Sequence, residues 1–281
     1  MTRHVCLICE GIQDSVFISM VLAKQFQMAS SSLSSQEDHP WYRAFKDATS
    51  PPRSGLLESI TNVRDSERRG PKAIPSHHIR FLADSHVLVW LSHAGGVNNL
   101  AKHADVVLGA LGKAPTRLDA LGFVIDSDAH LASKCLDSRG AELQQILAVH
   151  GFPVPTSWTP GRVDGTPPVG VFVMPNCRDP GTLEDLLVAC GSHVYPSLHG
   201  AAHSLVSSRE SLTREFDERD RQEISKPAGP QKATLAVMGA FLKPGRTIQT
   251  TLEDHRWVSE ATLLLPELQP LVGFLGMLLR P

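Results

Sequence analysis

The sequence predicts an α/β fold: a central, mostly parallel, Rossmann-like sheet flanked by helices. Three observations carry this expectation. Short apolar runs recur at residues 4–9, 86–91, 121–125 and 169–174, and near-continuous apolar runs of that length mark strands buried on both faces. Each run leads through a polar or glycine-bearing turn toward a stretch with helical spacing of apolar residues, the alternation that builds parallel sheets. Acids also cluster just past these runs: Glu10 after the first, Asp126 and Asp128 after the third, Glu184 and Asp185 after the fourth. Polar residues at the carboxyl ends of parallel strands face the crevice where such sheets bind ligands.

In chain order, residues 4–9 read as a central strand ended by Glu10-Gly11, and Ile12, Val16, Ile18, Val21 and Leu22 as the apolar side of the helix that follows. Gly11 permits the sharp turn. Asp14 falls in the first turn of that helix, where the helix dipole favours a negative charge. Residues 28–84 change character, with a serine-rich start, Ser50-Pro-Pro-Arg-Ser54, and a charge-rich stretch over 63–72. They read as an insertion with short helices near 41–45 and 56–63, part of it disordered. Its arginines and Lys72 suit phosphate contact, although a mixed-sign run is more often a solvated surface.

Residues 86–91 form the second strand, and Gly95-Gly96 turns into a helix over 98–111. Two glycines before a helix suit an anion cradle or a tight turn, and the lysine-serine/threonine ending of a Walker loop is absent. The third strand, 121–125, is followed by a helix over 140–151 and a proline-rich connection over 153–168 that contains Trp158. The fourth strand, 169–174, passes through Pro175-Asn-Cys-Arg-Asp-Pro180 into a helix from Gly181. A helix over 195–221, a break at 226–230, a helix over 231–241 bearing Lys232, and packed helix at 255–258 and 263–279 complete the chain. Residues 1–281 are expected to form one domain, with residues 194–281 mainly helical. No internal repeat is evident.

Bulk properties narrow the class. With 281 residues and 42% hydrophobic side chains, the chain is long enough to bury a substantial core. The net charge of −2 excludes a global basic field, so any nucleic-acid contact rests on a local patch or on metal ions. Five scattered cysteines suggest reduced thiols. Cys6 and Cys9 point to opposite faces of a strand, which does not make a zinc site. The run from Met1 into the first strand shows no signal peptide, and prolines at 266 and 270 interrupt the most apolar late segment. The expected location is cytoplasmic, with no membrane contact.

The acids carry the chemistry. Asp126 and Asp128, read as i and i+2 on a strand, share a face. Two carboxylates so placed repel unless a cation or proton lies between them, and hard oxygen ligands suit Mg2+ or Mn2+. The plainer alternative has Asp126 capping the next helix and Asp128 in solvent. Glu10, a carboxylate ending a buried strand, needs a partner. Helix-dipole preference alone would account for Glu184 and Asp185, and Lys232 near a helix start opposes the dipole, so it wants a local reason.

The sequence Cys9-Glu-Gly-Ile-Gln-Asp14, Phe123-Val-Ile-Asp-Ser-Asp128 and the stretch over 169–187 together resemble a Toprim (topoisomerase–primase) domain. The likeness is nearest to an uncharacterised Toprim-related bacterial family and covers most of the chain outside 28–84. Where that family has an acid followed by an amide after the strand-ending proline, this chain has Asn176-Cys177. Toprim nucleases of the overcoming-lysogenization-defect type are more distantly similar. That resemblance implies metal ligation by Glu10, Asp14, Asp126, Asp128 and Glu184, with Asp185 as a weaker ligand, and a catalytic Lys232 beside Glu10, Asp126 and Asp128.

The expected function is therefore hydrolysis of DNA or RNA phosphodiesters with Mg2+ or Mn2+, the partners being nucleic acid, a partner ATPase and further copies of the chain. The alternatives are a non-catalytic metal- or nucleotide-binding regulatory subunit of an ATPase, and a small-molecule phosphotransfer enzyme on the same fold. Neither Tyr42 nor Tyr195 has the context of a topoisomerase nucleophile.

Overall fold

The computed structural model describes residues 2–31, 79–83, 86–112, 117–212, 214 and 216–280. The first apolar run forms β1 (Arg3–Cys9) at the centre of a seven-stranded sheet. Its two neighbours, β4 (Val87–His93) and β5 (Ala120–Asp126), both run parallel to it. β7 (Val169–Met174) extends the parallel set beyond β5. Short antiparallel strands close the edges: β2 (Ala29–Ser31) and β3 (Ile79–Ala83) beyond β4, and β6 (Val163–Asp164) beyond β7. The α/β, mostly parallel, Rossmann-like expectation is met.

The apolar runs form central strands because both of their faces are covered. Val5, Leu7 and Cys9 face one core with Val89, Val124 and Phe172, while Cys6 and Ile8 face the other with Trp90, Phe123 and Val171. The two-residue alternation of a strand thus puts Cys6 and Cys9 on opposite sides, and all five cysteines are free. α2 (Leu100–Leu111) and α3 (Ala132–Val149) cover the second face. α1 (Ile12–Gln25) and α4 (Leu183–Val194) cover the first.

After α4 the regular elements among the described residues are all helices: α5 (Pro196–Ser207), α6 (Arg209–Leu212), α7 (Glu218–Ser225), α8 (Gly229–Leu242), α9 (Ile248–Asp254), α10 (Glu260–Leu263) and α11 (Gln269–Leu279). α11 lies over β5 and β7 and buries Leu271, Phe274, Leu275 and Leu278 almost completely. Burial of side chains that size is worth about 1.5–3 kcal/mol each. Among the described residues no helix is long and apolar enough to cross a membrane.

Three sequence expectations need correction. The ends of the 28–84 segment belong to the sheet as β2 and β3, so it is not wholly an addition to the core. The helices expected near 41–45 and 56–63 and the charged stretch 63–72 lie outside the described residues. The long helix expected over 195–221 is broken into α5, α6 and α7. Ala202 is the one residue of α5 that is fully buried, so no apolar stripe holds a longer helix together. At the break, Ser208 Oγ donates to the Ser204 carbonyl at 3.0 Å, a local bond that competes with regular helix.

The third correction bears on the site. α3 begins at Ala132, well before the expected residue 140, and Gly140 lies inside it. Trp158 Nε1 donates to the Gly140 carbonyl at 3.0 Å, and a Cβ on Gly140 would stand 2.6 Å from Trp158 Cδ1. Gly140 therefore marks a close approach of the indole to the helix, not the helix start. Gly140→Ala is expected to destabilise the fold by about 1–3 kcal/mol through overpacking. That exceeds the roughly 1 kcal/mol an alanine gains over glycine within a helix. Urea denaturation showing a more stable variant would remove this explanation of the glycine.

Candidate functional site

Because β1 and β5 are parallel neighbours, Glu10 and Asp126 arrive at the same edge of the sheet. The Glu10 backbone N–H donates to the Val124 carbonyl at 3.0 Å, extending the register one residue past β1. The Asp126 backbone N–H in turn donates to Glu10 Oε2 at 3.3 Å. Two helices start at this edge. α1 follows Gly11, whose N–H donates to Asp14 Oδ2 at 2.7 Å. α4 follows Thr182, and the N–H of its first residue, Leu183, donates to Asp126 Oδ1 at 3.1 Å. Both helices turn their positive ends toward the acids.

The buried Ser127 joins the end of β5 to the loop before α4. Its hydroxyl accepts from Gly181 N at 2.8 Å and lies 3.0 Å from the Gly181 carbonyl, which also accepts from Ser127 N and Asp128 N. Gly181 has φ 150°, and a Cβ there would meet Asp185 Oδ2 at 2.5 Å and Pro175 Cδ at 3.0 Å. Only glycine fits this junction.

The sequence placed Asp126 and Asp128 on one strand face. The strand stops at Asp126, and Asp128 takes a left-handed backbone, φ 53°, bridging antiparallel to Gly181. The i, i+2 argument therefore does not apply, and the Asp128 side chain is 56% exposed at the rim. What returns it to the site is Arg139, a residue the sequence reading missed. Arg139 Nη1 lies 3.2 Å from Glu10 Oε2 and donates to the Asp126 carbonyl at 3.0 Å, while Nη2 lies 3.6 Å from Asp128 Oδ2. A signal for it existed. Ala132, Leu136, Leu143 and Leu147 are buried along α3, and residue 139 falls on that same stripe. A charge on the core side of a helix asks for a partner.

Glu184 is buried, and Lys232 Nζ lies 3.7 Å from its Oε1. This is the local reason for a lysine near the start of α8. Asp185, one residue on, serves its own helix. Its Oδ2 accepts from Thr182 N at 2.8 Å and its Oδ1 from Gln231 Nε2 at 3.4 Å. Asn176 is used within its loop, where Oδ1 accepts from the backbone N–H groups of Arg178 and Asp179 and Nδ2 donates to Asp179 Oδ2 at 2.7 Å. Gly95 and Gly96 both have positive φ, and Gly96 N donates to the Glu10 carbonyl at 2.9 Å. That amide is committed to fastening β4 to β1. Tyr195 OH accepts from Arg256 N at 3.2 Å.

Glu10, Asp14, Asp126, Asp128 and Glu184 share one property. Each has one oxygen held by a donor in the protein: Oε2, Oδ2, Oδ1, Oδ2 and Oε1 respectively. The second oxygen of each has no hydrogen bond or ion pair among the described residues. Asp185, with both oxygens engaged, does not share it.

The charges are strained by their surroundings. Burial pushes the Asp126 carboxyl well above the usual range, and the neighbouring Asp14, Glu10, Glu184 and Asp128 push it further. Burial likewise raises Asp14 to about 7, with Glu10 and Glu184 adding to the rise and the Gly11 hydrogen bond and Lys232 opposing it. Glu10 is raised by burial first, offset in part by Arg139. The oxygen-only donor set, with a free oxygen on each of five acids, suits a hard divalent ion. Among the described residues, however, no three His, Cys, Asp or Glu side chains are gathered closely enough to hold a metal ion as they stand.

Lys232 stands between two clefts. One, of about 420 Å³, is lined by Gln13, Glu184, Leu235, Arg246 and Ile248 among others. The second, of about 450 Å³, is lined by Asp128, Gly181, Asp185, Lys226 and Gln231 among others.

Compared with known proteins, residues 4–278 match the model of a family described as protein of unknown function (DUF3226). A solved structure with a similar fold is the hypothetical protein PH0156 from Pyrococcus horikoshii OT3. It is 14% identical, with 99% of this chain and 95% of that chain covered and a TM-score of 0.51. That likeness bears on the α/β architecture alone. No curated protein matches the chain.

Proposed function

The chain belongs to the DUF3226 family, and we infer that it is a metal-dependent nuclease that hydrolyses DNA or RNA phosphodiester bonds. The observation that carries this reading is the meeting of Glu10, Asp14, Asp126 and Glu184 at one sheet edge, where Glu10 and Glu184 both add to the raised proton affinity of Asp14 and Asp126. Clusters of perturbed acids mark candidate functional sites, and Glu184 and Asp128 line the adjoining clefts. The likeness of Glu10 and Asp126-Ser-Asp128 to Toprim motifs supports the same reading.

Mg2+ or Mn2+ would be held by Glu10, Asp14, Asp126, Asp128 and Glu184 through the oxygens the protein leaves free. Bound there, such an ion supplies an activated water and stabilises the leaving oxygen. The chain's own residues do the rest. Lys232, 62% exposed and tethered to Glu184, places a positive charge where a scissile phosphate would lie. The clefts on either side of it give room for the nucleotides flanking that phosphate. Glu10 and Asp126 hold each other through the Asp126 N–H, and the α1 and α4 starts fix Asp14 and Asp126. Asp185 remains a helix cap in this reading.

The test is cleavage of supercoiled plasmid, linear duplex and single-stranded RNA by purified protein in Mn2+, in Mg2+ and in EDTA. Cation-dependent cutting of any one of them is the expected result and names the substrate class. A second reading is a non-catalytic Toprim-like regulatory subunit that binds metal or nucleotide and serves a partner ATPase. It is favoured by Asn176, bound into its own loop where the related family has an acid. No cutting of any substrate, with Mn2+ still raising thermal stability, selects that reading.

A further inference from the structure

Five acids have a free oxygen each, yet they are not drawn together into a ligand set. Two of them, Glu10 and Asp128, share a neighbour, Arg139. Its guanidinium lies between Glu10 and Asp128, with Nη1 at 3.2 Å from Glu10 Oε2 and Nη2 at 3.6 Å from Asp128 Oδ2. We propose that Arg139 is the site's own counter-ion: it holds Glu10 and Asp128 in the ion-free chain and must leave them for a divalent cation to bind. The proposal rests on the reading of these acids as a cation site.

The chemistry of the side chain fits the role. A planar guanidinium offers separate nitrogens to two carboxylates in a fixed fork, whereas an ammonium has a single nitrogen to share between them. The guanidinium therefore spans the half-buried Glu10 and the exposed Asp128, linking the floor of the site to its rim. Glu10 Oε2 already accepts from both Arg139 and the Asp126 N–H, which leaves Oε1 for anything else. A divalent ion near the guanidinium also meets direct charge repulsion. Release of Arg139 leaves the arginine a neutral foothold, since Nη1 also donates to the Asp126 carbonyl at 3.0 Å. Its side chain is 21% exposed, so a path toward solvent exists. Lys232 does not do the same. It is more exposed and touches one acid, Glu184, at 3.7 Å.

Removal of Arg139 then acts in two opposite directions. The ion-free protein loses stability, because the half-buried Glu10 is left without its partner. Divalent-ion binding becomes tighter, because nothing has to be displaced. An arginine that neither occupies nor repels the cation's position predicts the first effect without the second.

The experiment compares wild type, Arg139→Gln and Arg139→Lys. Mn2+ binding is read from the electron paramagnetic resonance signal of free Mn2+, and unfolding temperatures are taken in EDTA and in Mn2+. Arg139→Gln is expected to unfold at a lower temperature in EDTA, to bind Mn2+ at least tenfold more tightly, and to gain more from Mn2+ than wild type gains. Arg139→Lys, keeping one contact of two, should fall between them. If Arg139→Gln does not fold in EDTA, Arg139→Lys carries the comparison. Mn2+ binding that is unchanged or weaker in the folded variants overturns this proposal and leaves the cation site standing. No Mn2+ binding at millimolar concentration by wild type or variants overturns the cation site itself, and the proposal with it.

Discussion

Asp126→Asn is expected to lower cation-dependent cleavage by two to three orders of magnitude, about 3–4 kcal/mol of transition-state stabilisation. The substitution keeps the side chain's shape, and asparagine Oδ1 still accepts the Leu183 N–H that ties α4 to β5. What it removes is the most crowded charge at the site, since Asp14, Glu10, Glu184 and Asp128 all act on Asp126. The folded state should not suffer. Loss of a buried, repelled charge leaves thermal stability in EDTA unchanged or higher. Activity and stability thus move apart, and a cleavage assay beside a melting curve reads both. A variant that cuts as well as wild type would sink the assignment of Asp126 as a ligand. A variant that loses activity because it unfolds would show that the carboxylate itself, not only the side chain's shape, holds the fold at this edge.

The second large effect concerns pH. Without a divalent ion, wild-type stability should fall as pH rises from about 4 to about 7. An unfolded aspartate ionises near 3.9, whereas folded Asp14, raised by burial and then by Glu10 and Glu184, holds its proton to about 7. Between those values the native state binds the extra proton, so raising the pH favours unfolding. The contribution is fully present below about 4, declines through the window and is gone above about 7. A gap of roughly three pKa units corresponds to about 4 kcal/mol. Asp14→Asn, which still accepts the Gly11 N–H at the start of α1, should flatten the window and be the more stable protein at pH 8. Thermal unfolding of both proteins between pH 4 and 8 in EDTA checks this. A wild-type curve that rises with pH in that window would contradict the buried, crowded state of Asp14.

Much of the site was legible in the sequence because strand ends announce themselves. Glu10 and Asp126 directly follow or close apolar runs, and any parallel sheet brings such residues to one edge. Asp14 and Glu184 were legible for a different reason, as acids in the first turns of helices that follow those strands. The pairing of Lys232 with Glu184 answers a question the sequence posed, since a cation at a helix start needs a nearby anion.

The errors have equally specific causes. Gly140 looked like a helix start because glycine usually interrupts helices, whereas here it admits the Trp158 indole. Arg139 falls one residue before the start that Gly140 suggests, so the sequence gives it no helical face. Asp128 was placed by strand periodicity, which ends at Asp126. Asp185 and Glu184 are adjacent acids with equal standing in the sequence. The turn of α4 separates them, one toward the core and Lys232, the other back to the Thr182 N–H.

The sequence by itself determined the α/β class, the order of the central elements and the edge at which the acids would meet. Those follow from local periodicity and from the geometry of parallel strands. Tertiary structure alone decided which acids are crowded, which oxygens are free and which cation stands between them. Those depend on approaches such as Arg139 to Glu10, 129 residues apart in the chain, and no local pattern encodes a contact of that range.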